Sequence, residues 1–189
     1  MSKFKFREIA PQRTYKGPEL TNYKKYKADL QKDFHKRCCY TDCPDKWFGG
    51  KTNMDIEHFK PKSKYPKLTT KYANLAYSNP FANRAKAADW QEDMYLDPCD
   101  VDYNTHFSRD EQGNIVPLTQ QAKYMYKRLK LYLERYGIIW MLDTMQQKLR
   151  ILSAHIDKIS DPTKKQKCML LHYELSKHFQ AYLDYLDLD

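Results

Sequence analysis

The sequence predicts an α+β fold that is mostly helical and forms one domain over residues 1–189. Two observations predict it. Apolar residues recur at helical spacing near the start of the chain and throughout its last third, whereas the middle, from about residue 38 to 96, is rich in turn signals that leave room only for short strands and helices. A chain of 189 residues is long enough to bury a core without the help of disulfides.

The amino-terminal part predicts a short strand followed by an amphipathic helix. Phe4 to Ile9 is strand-like, and Thr21 suits a helix cap. After the cap, apolar residues recur at helical spacing among lysines that would face solvent: Tyr23, Tyr26, Leu30 and Phe34. This helix is expected to end near Arg37.

The middle of the chain predicts two small hairpins and one helix. Turn-forming Pro and Gly residues indicate a hairpin around residues 40–60, and an exposed loop is expected to follow from Pro61 to Thr70. A helix is expected from about Asn83. A second hairpin is expected between His106 and Pro117, with its turn at residues 111–114.

The last third predicts helices. The apolar stripe is continuous from Ala122 to Ile159, with a bend or a break expected at Gly137. Ser160-Asp161-Pro162 indicates the end of one helix and the start of another. The last helix is expected from about Thr163 to Tyr185. Residues 118–189 are therefore most simply a helical support, or a surface on which another subunit docks.

The composition favours a polyanionic partner. There are 33 Lys and Arg against 24 Asp and Glu, a formal charge of +9, which suits nucleic acid or an anionic membrane surface. The longest apolar run, Ile138 to Leu142, is far shorter than the roughly 18 residues of a membrane-spanning helix, so we expect a soluble, cytoplasmic protein. The five cysteines are an odd number and are expected to be reduced thiols, with a metal knot as the alternative.

The run from Asp55 to Pro61 places an acidic residue beside a histidine, and two asparagines follow it. A one-metal phosphodiesterase requires a base that deprotonates water and oxygen ligands for a cation that offsets charge on the phosphate. His58 can act as the base. Glu57 and Asn83 offer hard oxygen ligands for Mg²⁺ or Mn²⁺, and Asn74 can orient the base.

The sequences IEHFKPKSKYP, YANL and NRAK resemble the HNH endonucleases, with an asparagine in place of the last histidine as in the HNN variant. The close resemblance covers residues 37–90. It implies a small ββα-metal core over residues 37–96, embedded between an amino-terminal helix and a carboxy-terminal helical bundle. The site residues that it implies are Glu57 and Asn83 as ligands of one Mg²⁺ or Mn²⁺, His58 as the general base, and Asn74, which holds the loop and the base in place.

Basic residues around this run are predicted to contact nucleic acid. Lysines alternate along the loop after His58 and would either face solvent or contact phosphates, the interpretation that we favour. The resemblance places Lys86 near the backbone phosphates. The predicted nucleic-acid-binding residues are Lys60, Lys62, Lys64, Arg84 and Lys86. DNA is favoured over RNA as the nucleic acid.

The later sequences DPC and HF and the helical tail look like the HNH subunits of retron and Septu-type anti-phage systems, in which the nuclease works with an ATPase partner. The resemblance implies a DNA-cutting effector of a defence complex, bound to a protein partner such as an ATPase subunit and to no membrane. Two alternatives stay open. The chain could be a non-cleaving nucleic-acid-binding module that keeps the fold, or its helical tail could serve chiefly as a docking surface.

The chain departs from the many HNH proteins that bind a structural zinc through two Cys-x-x-Cys pairs. The positions of the second pair are Asn79 and Ala82, neither of which is a zinc ligand, and Cys38, Cys39 and Cys43 do not form a Cys-x-x-Cys. A closed structural zinc site needs four ligands. We therefore predict that there is no structural zinc. Packing of aromatic residues is expected in its place: Tyr40, Trp47, Phe81 and Trp90.

Overall fold

The computed structural model describes residues 4–187 and has an α+β fold of short strands and longer helices. The strands are β1 (Phe4–Lys5), β2 (Asp55–His58), β3 (Leu75–Ser78), β4 (Phe107–Arg109) and β5 (Ile115–Pro117). The helices are α1 (Lys27–Asp33), α2 (Pro80–Lys86), α3 (Gln120–Arg128), α4 (Glu134–Ile156) and α5 (Pro162–Asp187). The predicted fold class, α+β and mostly helical, is confirmed at this level.

Strands β2 and β3 form an antiparallel pair in which His58 lies opposite Leu75, and α2 follows β3 at once. The hairpin predicted around residues 40–60 is therefore wrong, because β2 pairs with a strand beyond the following loop. The segment before β2 does not supply a partner strand. It turns at Gly49 and Gly50, whose φ angles of 86° and 77° favour glycine and interrupt an extended chain.

The second sheet has the order β1–β4–β5, with antiparallel neighbours. The hairpin predicted between His106 and Pro117 is confirmed as β4 and β5. Strand β1 is shorter than predicted, because the chain leaves the sheet after Lys5. Phe6 is buried there, and the guanidinium of Arg7 donates to the carbonyl of Cys39 at 2.6 Å, which ties the start of the chain to its central segment.

The predicted amino-terminal helix is present but ends early. A 3₁₀ turn at Tyr23–Tyr26 leads into α1, which packs beside β3 and ends at Asp33 rather than near Arg37. His35 and Lys36 have positive φ angles of 52° and 59°, so the chain reverses there instead of continuing the helix.

The carboxy-terminal helices break at a place other than the one predicted. The chain leaves the helix between α3 and α4 at residues 129–133, not at Gly137. Gly137 lies inside α4 where a loop crosses the helix, and a Cβ there would be 2.6 Å from Oδ1 of Asn114, so glycine serves a close approach. The predicted last helix is confirmed as α5. Asp161 caps it, because its Oδ1 accepts from the amide of Lys164 at 2.8 Å.

The hydrophobic core joins the two sheets, α1, α3 and the first half of α4. Its members include Leu30, Tyr77, Phe107, Met125 and Ile139. Helix α5 packs on α4, and the residues of α5 and of the second half of α4 are exposed or half-buried. Within residues 4–187, no helix combines the length and the apolar character that crossing a membrane requires.

Candidate active site

An open cleft of about 760 Å³ lies between the 3₁₀ turn before α1, strand β2 and helix α2. Its lining brings together aromatic, acidic, amide, imidazole and basic groups: Tyr23, Lys24, Lys27, Asp55, Glu57, His58, Lys62, Asn83 and Arg84. Three of the residues predicted for the site, Glu57, His58 and Asn83, meet here. The fourth, Asn74, lies just before β3 and outside the lining of the cleft.

His58, the predicted general base, ends β2 and is only 9% exposed. Its Nε2 lies 3.0 Å from the carbonyl oxygen of Thr69. Because a carbonyl can only accept, Nε2 carries the proton and Nδ1 keeps its free lone pair. Burial lowers the pKa of His58, and Lys62 and Lys86 add to that effect, while the hydrogen bond to Thr69 opposes it. At neutral pH, Nδ1 is therefore free to accept a proton.

Asn74 holds the loop that orients His58. Its Oδ1 accepts from the amide of Lys60 at 2.8 Å, and its Nδ2 donates to the carbonyls of Lys60 at 3.0 Å and Leu68 at 3.4 Å. Asn74 is 6% exposed, so these bonds are shielded from water. These hydrogen bonds connect Lys60 and Leu68, the two ends of the loop after β2. Thr69, which binds the imidazole of His58, directly follows this loop. The supporting role predicted for Asn74 requires a position of this kind.

Asp55 and Asn83 form a hydrogen-bonded pair at the cleft. Nδ2 of Asn83 donates to Oδ2 of Asp55 at 2.8 Å, and both side chains line the cleft. Asn83 lies in the middle of α2, because the helix begins at Pro80 and not near Asn83 as predicted. Asp55 was not predicted as a site residue. The sequence signal that identifies Asp55 is its spacing from Glu57. Side chains two residues apart on a strand lie on the same face of the sheet.

Glu57 and Lys86 form a buried ion pair beside the cleft. The two side chains are 3% and 0% exposed, and Nζ of Lys86 lies 2.5 Å from Oε1 of Glu57. Lys86 also donates to the carbonyl of His58 at 3.0 Å, and the hydroxyl of Tyr40 donates to Glu57 at 3.3 Å. Burial raises the pKa of Glu57, while Lys86 and Tyr40 offset part of the rise. The predicted contact of Lys86 with phosphate is wrong for this structure, because its ammonium is enclosed and already paired.

Two of the predicted nucleic-acid-binding residues line the cleft and two lie to one side of it. Lys62 and Arg84 are exposed and line the cleft. The ammonium of Lys60 instead lies 5.6 Å from the ring centroid of Trp90, and Lys64 donates to the Trp90 carbonyl at 3.4 Å. The phosphate-binding surface nearest His58 is therefore smaller than the run of lysines predicts.

One wall of the cleft was not predicted at all. Tyr23, Lys24 and Lys27 reach the cleft from the amino-terminal helical segment. Lysines on an amphipathic helix are typical of a solvated face, so their sequence pattern does not separate a binding wall from an ordinary surface. Only the fold brings this segment against β2.

The cleft offers few protein ligands for a divalent cation. Residues 4–187 contain no group of three or more His, Cys, Asp or Glu side chains placed to hold a metal ion. Mg²⁺ is commonly bound by one or two carboxylates together with water and substrate phosphates. Asp55 and Asn83 fit that pattern, because the carboxylate and the amide oxygen are hard donors on adjoining side chains. Glu57 would join them only by giving up its contact with Lys86.

Hydrogen bonds join the residues that stand where a structural zinc would have its ligands. The amide N–H and Nδ2 of Asn79 each lie 3.2 Å from Sγ of Cys38, and Nδ2 also donates to Oγ1 of Thr41 at 3.2 Å. Oδ1 of Asn79 accepts from the amide of Ala82 at 2.9 Å and so caps α2. Burial alone would raise the pKa of Cys38, but its hydrogen bonds outweigh burial and lower the pKa to about 5. The hydrogen bonds of Asn79 therefore fix α2, and with it Asn83, to the turn at Cys38.

The aromatic residues predicted to pack in place of a zinc do not form a cluster. Within the described part of the chain, their ring contacts are made with other partners. Trp47 contacts Phe179, Phe81 contacts Phe48 and Trp90 stacks on Tyr95, while Tyr40 is buried against Glu57. Hydrogen bonds of Asn79, and not aromatic packing, therefore connect the segments that a structural zinc would join.

No protein-family model matches this chain, and none of the curated proteins matches it either. The function of the cleft must therefore follow from the chemistry of its own residues.

Proposed function

We propose that this protein is a metal-dependent endonuclease of the HNH type, in its HNN variant, that hydrolyses phosphodiester bonds of DNA. The observation that carries the proposal is the convergence of His58 with Asp55 and Asn83 on one cleft with a basic lining. A free imidazole nitrogen, hard oxygen ligands and cationic side chains are the components that phosphodiester hydrolysis needs.

The order of the elements supports the proposal. An antiparallel pair with His58 at the end of its first strand and Asn74 just before its second is followed directly by a helix that carries Asn83. A ββα-metal core has this order. Helix α1 precedes the unit and α3, α4 and α5 follow it, as a core embedded between an amino-terminal helix and a carboxy-terminal bundle requires.

In the proposed reaction, Nδ1 of His58 accepts a proton from the water that attacks the phosphorus atom. The carbonyl of Thr69 holds the ring in this orientation, and the lowered pKa keeps Nδ1 free at neutral pH. The bond from phosphorus to the leaving sugar oxygen breaks as the bond to water forms, and the leaving oxygen takes up a proton from solvent. Asp55 and Asn83 would hold Mg²⁺ or Mn²⁺, which when bound offsets negative charge on the phosphate. Basic side chains of the cleft bind the flanking phosphates.

We favour Asp55 over Glu57 as the acidic metal ligand in this proposal. Asp55 is half-buried and already adjoins Asn83. Glu57 would have to leave Lys86 as a buried charge without a counter-charge, which typically costs about 3–5 kcal/mol. The resemblance to HNH enzymes assigns the ligand to Glu57, so the variants Asp55→Asn and Glu57→Gln distinguish the two assignments. We expect the larger loss of metal-dependent activity in Asp55→Asn.

The same ion pair favours a second candidate function, a non-cleaving nucleic-acid-binding module. With Glu57 held by Lys86, the cleft keeps one acidic ligand beside Asn83, which makes a weak cation site. The basic and aromatic lining would then bind a strand without cutting it.

Cleavage assays separate the two candidates. The full-length protein is incubated with supercoiled plasmid and with circular single-stranded DNA in MgCl₂ or MnCl₂, and EDTA serves as the blank. We expect cleavage by the parent protein and a loss of about 10²- to 10⁴-fold in His58→Ala, the usual contribution of a general base. His178→Ala, on an exposed part of α5, is the matched control and should cut like the parent. Equal activity in the parent and in His58→Ala would remove the catalytic assignment of His58, and cleavage by the parent no faster than in the EDTA blank would leave the binding module.

The partner prediction is part of the proposal as well: the protein would act as the effector of an anti-phage defence complex with a partner such as an ATPase subunit. Exposed apolar side chains on α5 support a protein partner, since Met169, Leu170 and Tyr173 are 54%, 57% and 61% exposed. Affinity purification of the tagged protein with the products of neighbouring genes tests this. Recovery of an ATPase supports the partner, and recovery of the protein alone contradicts it.

A further inference from the structure

Resting on the proposed function, we infer that the cleft takes an unpaired DNA strand, with one base stacked on Tyr23 and the adjoining phosphate beside His58. Three features lead to this substrate class. His58 is recessed, an aromatic ring lies against it, and basic side chains line both sides of the cleft.

His58 lies within the cleft and not on the open surface. It is 9% exposed, and its ring and that of Tyr23 form a T-shaped pair with the centroids 4.7 Å apart. Helix α2 forms another wall. Duplex DNA is a stiff rod with a persistence length of about 50 nm, and bending a site of about 20–30 base pairs by 40–90° costs about 1–6 kcal/mol, so a duplex reaches such a recess only at that cost. An unpaired strand lacks that stiffness and can enter.

Tyr23 offers a stacking surface inside this recess. Nζ of Lys62 lies over the Tyr23 ring, 5.7 Å from its centroid, so a base that stacks on this face takes the place of the ammonium and brings its own phosphate within reach of it. Stacking on an aromatic side chain tolerates any sequence, because every base has a π-face. In a duplex, the face of a base is covered by its neighbours and becomes available only after the base has flipped out of the helix.

Basic side chains reach the cleft from three separate segments. Lys24 and Lys27 come from the amino-terminal segment, Lys62 from the loop after β2 and Arg84 from α2. Within the described residues, none of the four forms an ion pair with a carboxylate. Their charge is therefore available to phosphates. A positively charged track beside a stacking platform is typical of sites that follow one strand.

The test measures binding separately from cleavage. Full-length protein with His58→Ala is titrated into a short fluorescein-labelled DNA oligonucleotide of mixed sequence, either alone or annealed to its complement, and anisotropy gives the affinity. We expect the single strand to bind at least about tenfold more tightly than the duplex. Adding Tyr23→Ala should remove most of this preference, and Tyr23→Phe, which keeps the ring, should recover most of it. Tyr173→Ala, at a 61% exposed tyrosine on α5, is the control and should bind like its parent.

Salt dependence provides a second measurement that does not alter the aromatic ring. Lys24→Ala and Lys62→Ala should each reduce the slope of log affinity against log salt for the single strand by about 0.7, the value for one phosphate contact. Lys164→Ala, on the first turn of α5, should leave the slope unchanged. These lysines are exposed, so the variants are expected to fold.

Two results would overturn the inference: equal or tighter binding of the duplex, or a folded Tyr23→Ala variant that keeps the single-strand preference. If Tyr23→Ala does not fold, the duplex comparison and the salt slopes decide alone. The proposed function fails separately. Preferential single-strand binding without cleavage of circular single-stranded DNA in MnCl₂ keeps the inference and removes the nuclease, whereas plasmid cleavage with a duplex preference does the reverse.

Discussion

The cleft region and the carboxy-terminal hairpin, formed by the second half of α4 and by α5, are stabilised in different ways. Around the cleft, polar side chains are buried and paired with one another, as Glu57 is with Lys86 and Asn79 with Cys38. In the hairpin, the helices meet through half-buried apolar residues, and outward side chains such as Leu170 are largely exposed. Paired buried groups specify one geometry, so the cleft should be sensitive to single changes that the hairpin tolerates.

Helix α4 runs from the central core that carries the cleft into the hairpin. Up to Met145 its inward residues are buried, and Asp143 pairs with Arg37 at 2.7 Å and with Lys46 at 2.6 Å. Beyond Met145, none of its residues is buried. The two regions therefore differ in what covers the helix and not in the tendency of the chain to be helical.

The largest stability effect is expected at the ion pair beside the cleft. Lys86→Met leaves the buried carboxylate of Glu57 with only the hydroxyl of Tyr40, and breaking a buried pair in this way costs about 3–5 kcal/mol of unfolding free energy. Burial already raises the pKa of Glu57 above that of an unfolded chain, and loss of Lys86 raises it further. The folded state then binds a proton more tightly than the unfolded state, so the variant should lose stability as the pH rises.

Urea unfolding of Lys86→Met at pH 5 and pH 8, in EDTA, measures this effect. The expected loss relative to the parent is larger at pH 8. The double variant Lys86→Met, Glu57→Gln removes the ionisable group and should recover part of the loss and most of the pH dependence. An equal loss at both pH values would show that Glu57 stays ionised without Lys86, and the pair would then not determine its charge.

Parts of the fold were predictable because their signals are local. The β4–β5 hairpin and α5 follow from turn residues, a capping Asp161 and a helical apolar period. The pairing of β2 was not predictable, because a strand selects its partner through tertiary contacts. Its partner, Leu75–Ser78, is buried at every position and carries no alternation that marks one face.

The site was predicted in part for a similar reason. Glu57, His58 and Asn83 were expected to share a site, and all three line one cleft. That Lys86 lies inward was not predictable, because one lysine on a short helix looks the same in sequence whether it is buried or solvated. The wall that contains Tyr23 depends on packing between segments far apart in the chain, which no local pattern records.

A smaller effect is expected where α4 is attached to the central segment. Burial alone would raise the pKa of Asp143, but hydrogen bonds from Lys46 and Arg37 outweigh burial and lower it. Asp143→Asn should therefore cost about 1.5–3 kcal/mol at pH 7, the usual contribution of hydrogen bonds to a charged group. A carboxyl with a lowered pKa contributes stability above its unfolded pKa of about 3.9 and loses it as the pH falls further. The difference between parent and variant in urea unfolding should accordingly shrink below that pH, and a constant difference would contradict the assignment.

The smallest effect is expected on the outer face of the hairpin. Leu170→Ala removes a side chain that is 57% exposed, and changes at such positions usually alter the unfolding free energy by less than about 0.5 kcal/mol. Leu142→Ala, the same change at a residue of α4 that is 0% exposed, should cost about 2–5 kcal/mol because it leaves a cavity. Urea unfolding at two protein concentrations measures both. A loss at Leu170 that approaches the loss at Leu142 and grows with protein concentration would mean that a second copy covers α5 in solution, and the contrast between the two regions would then belong to the isolated chain alone.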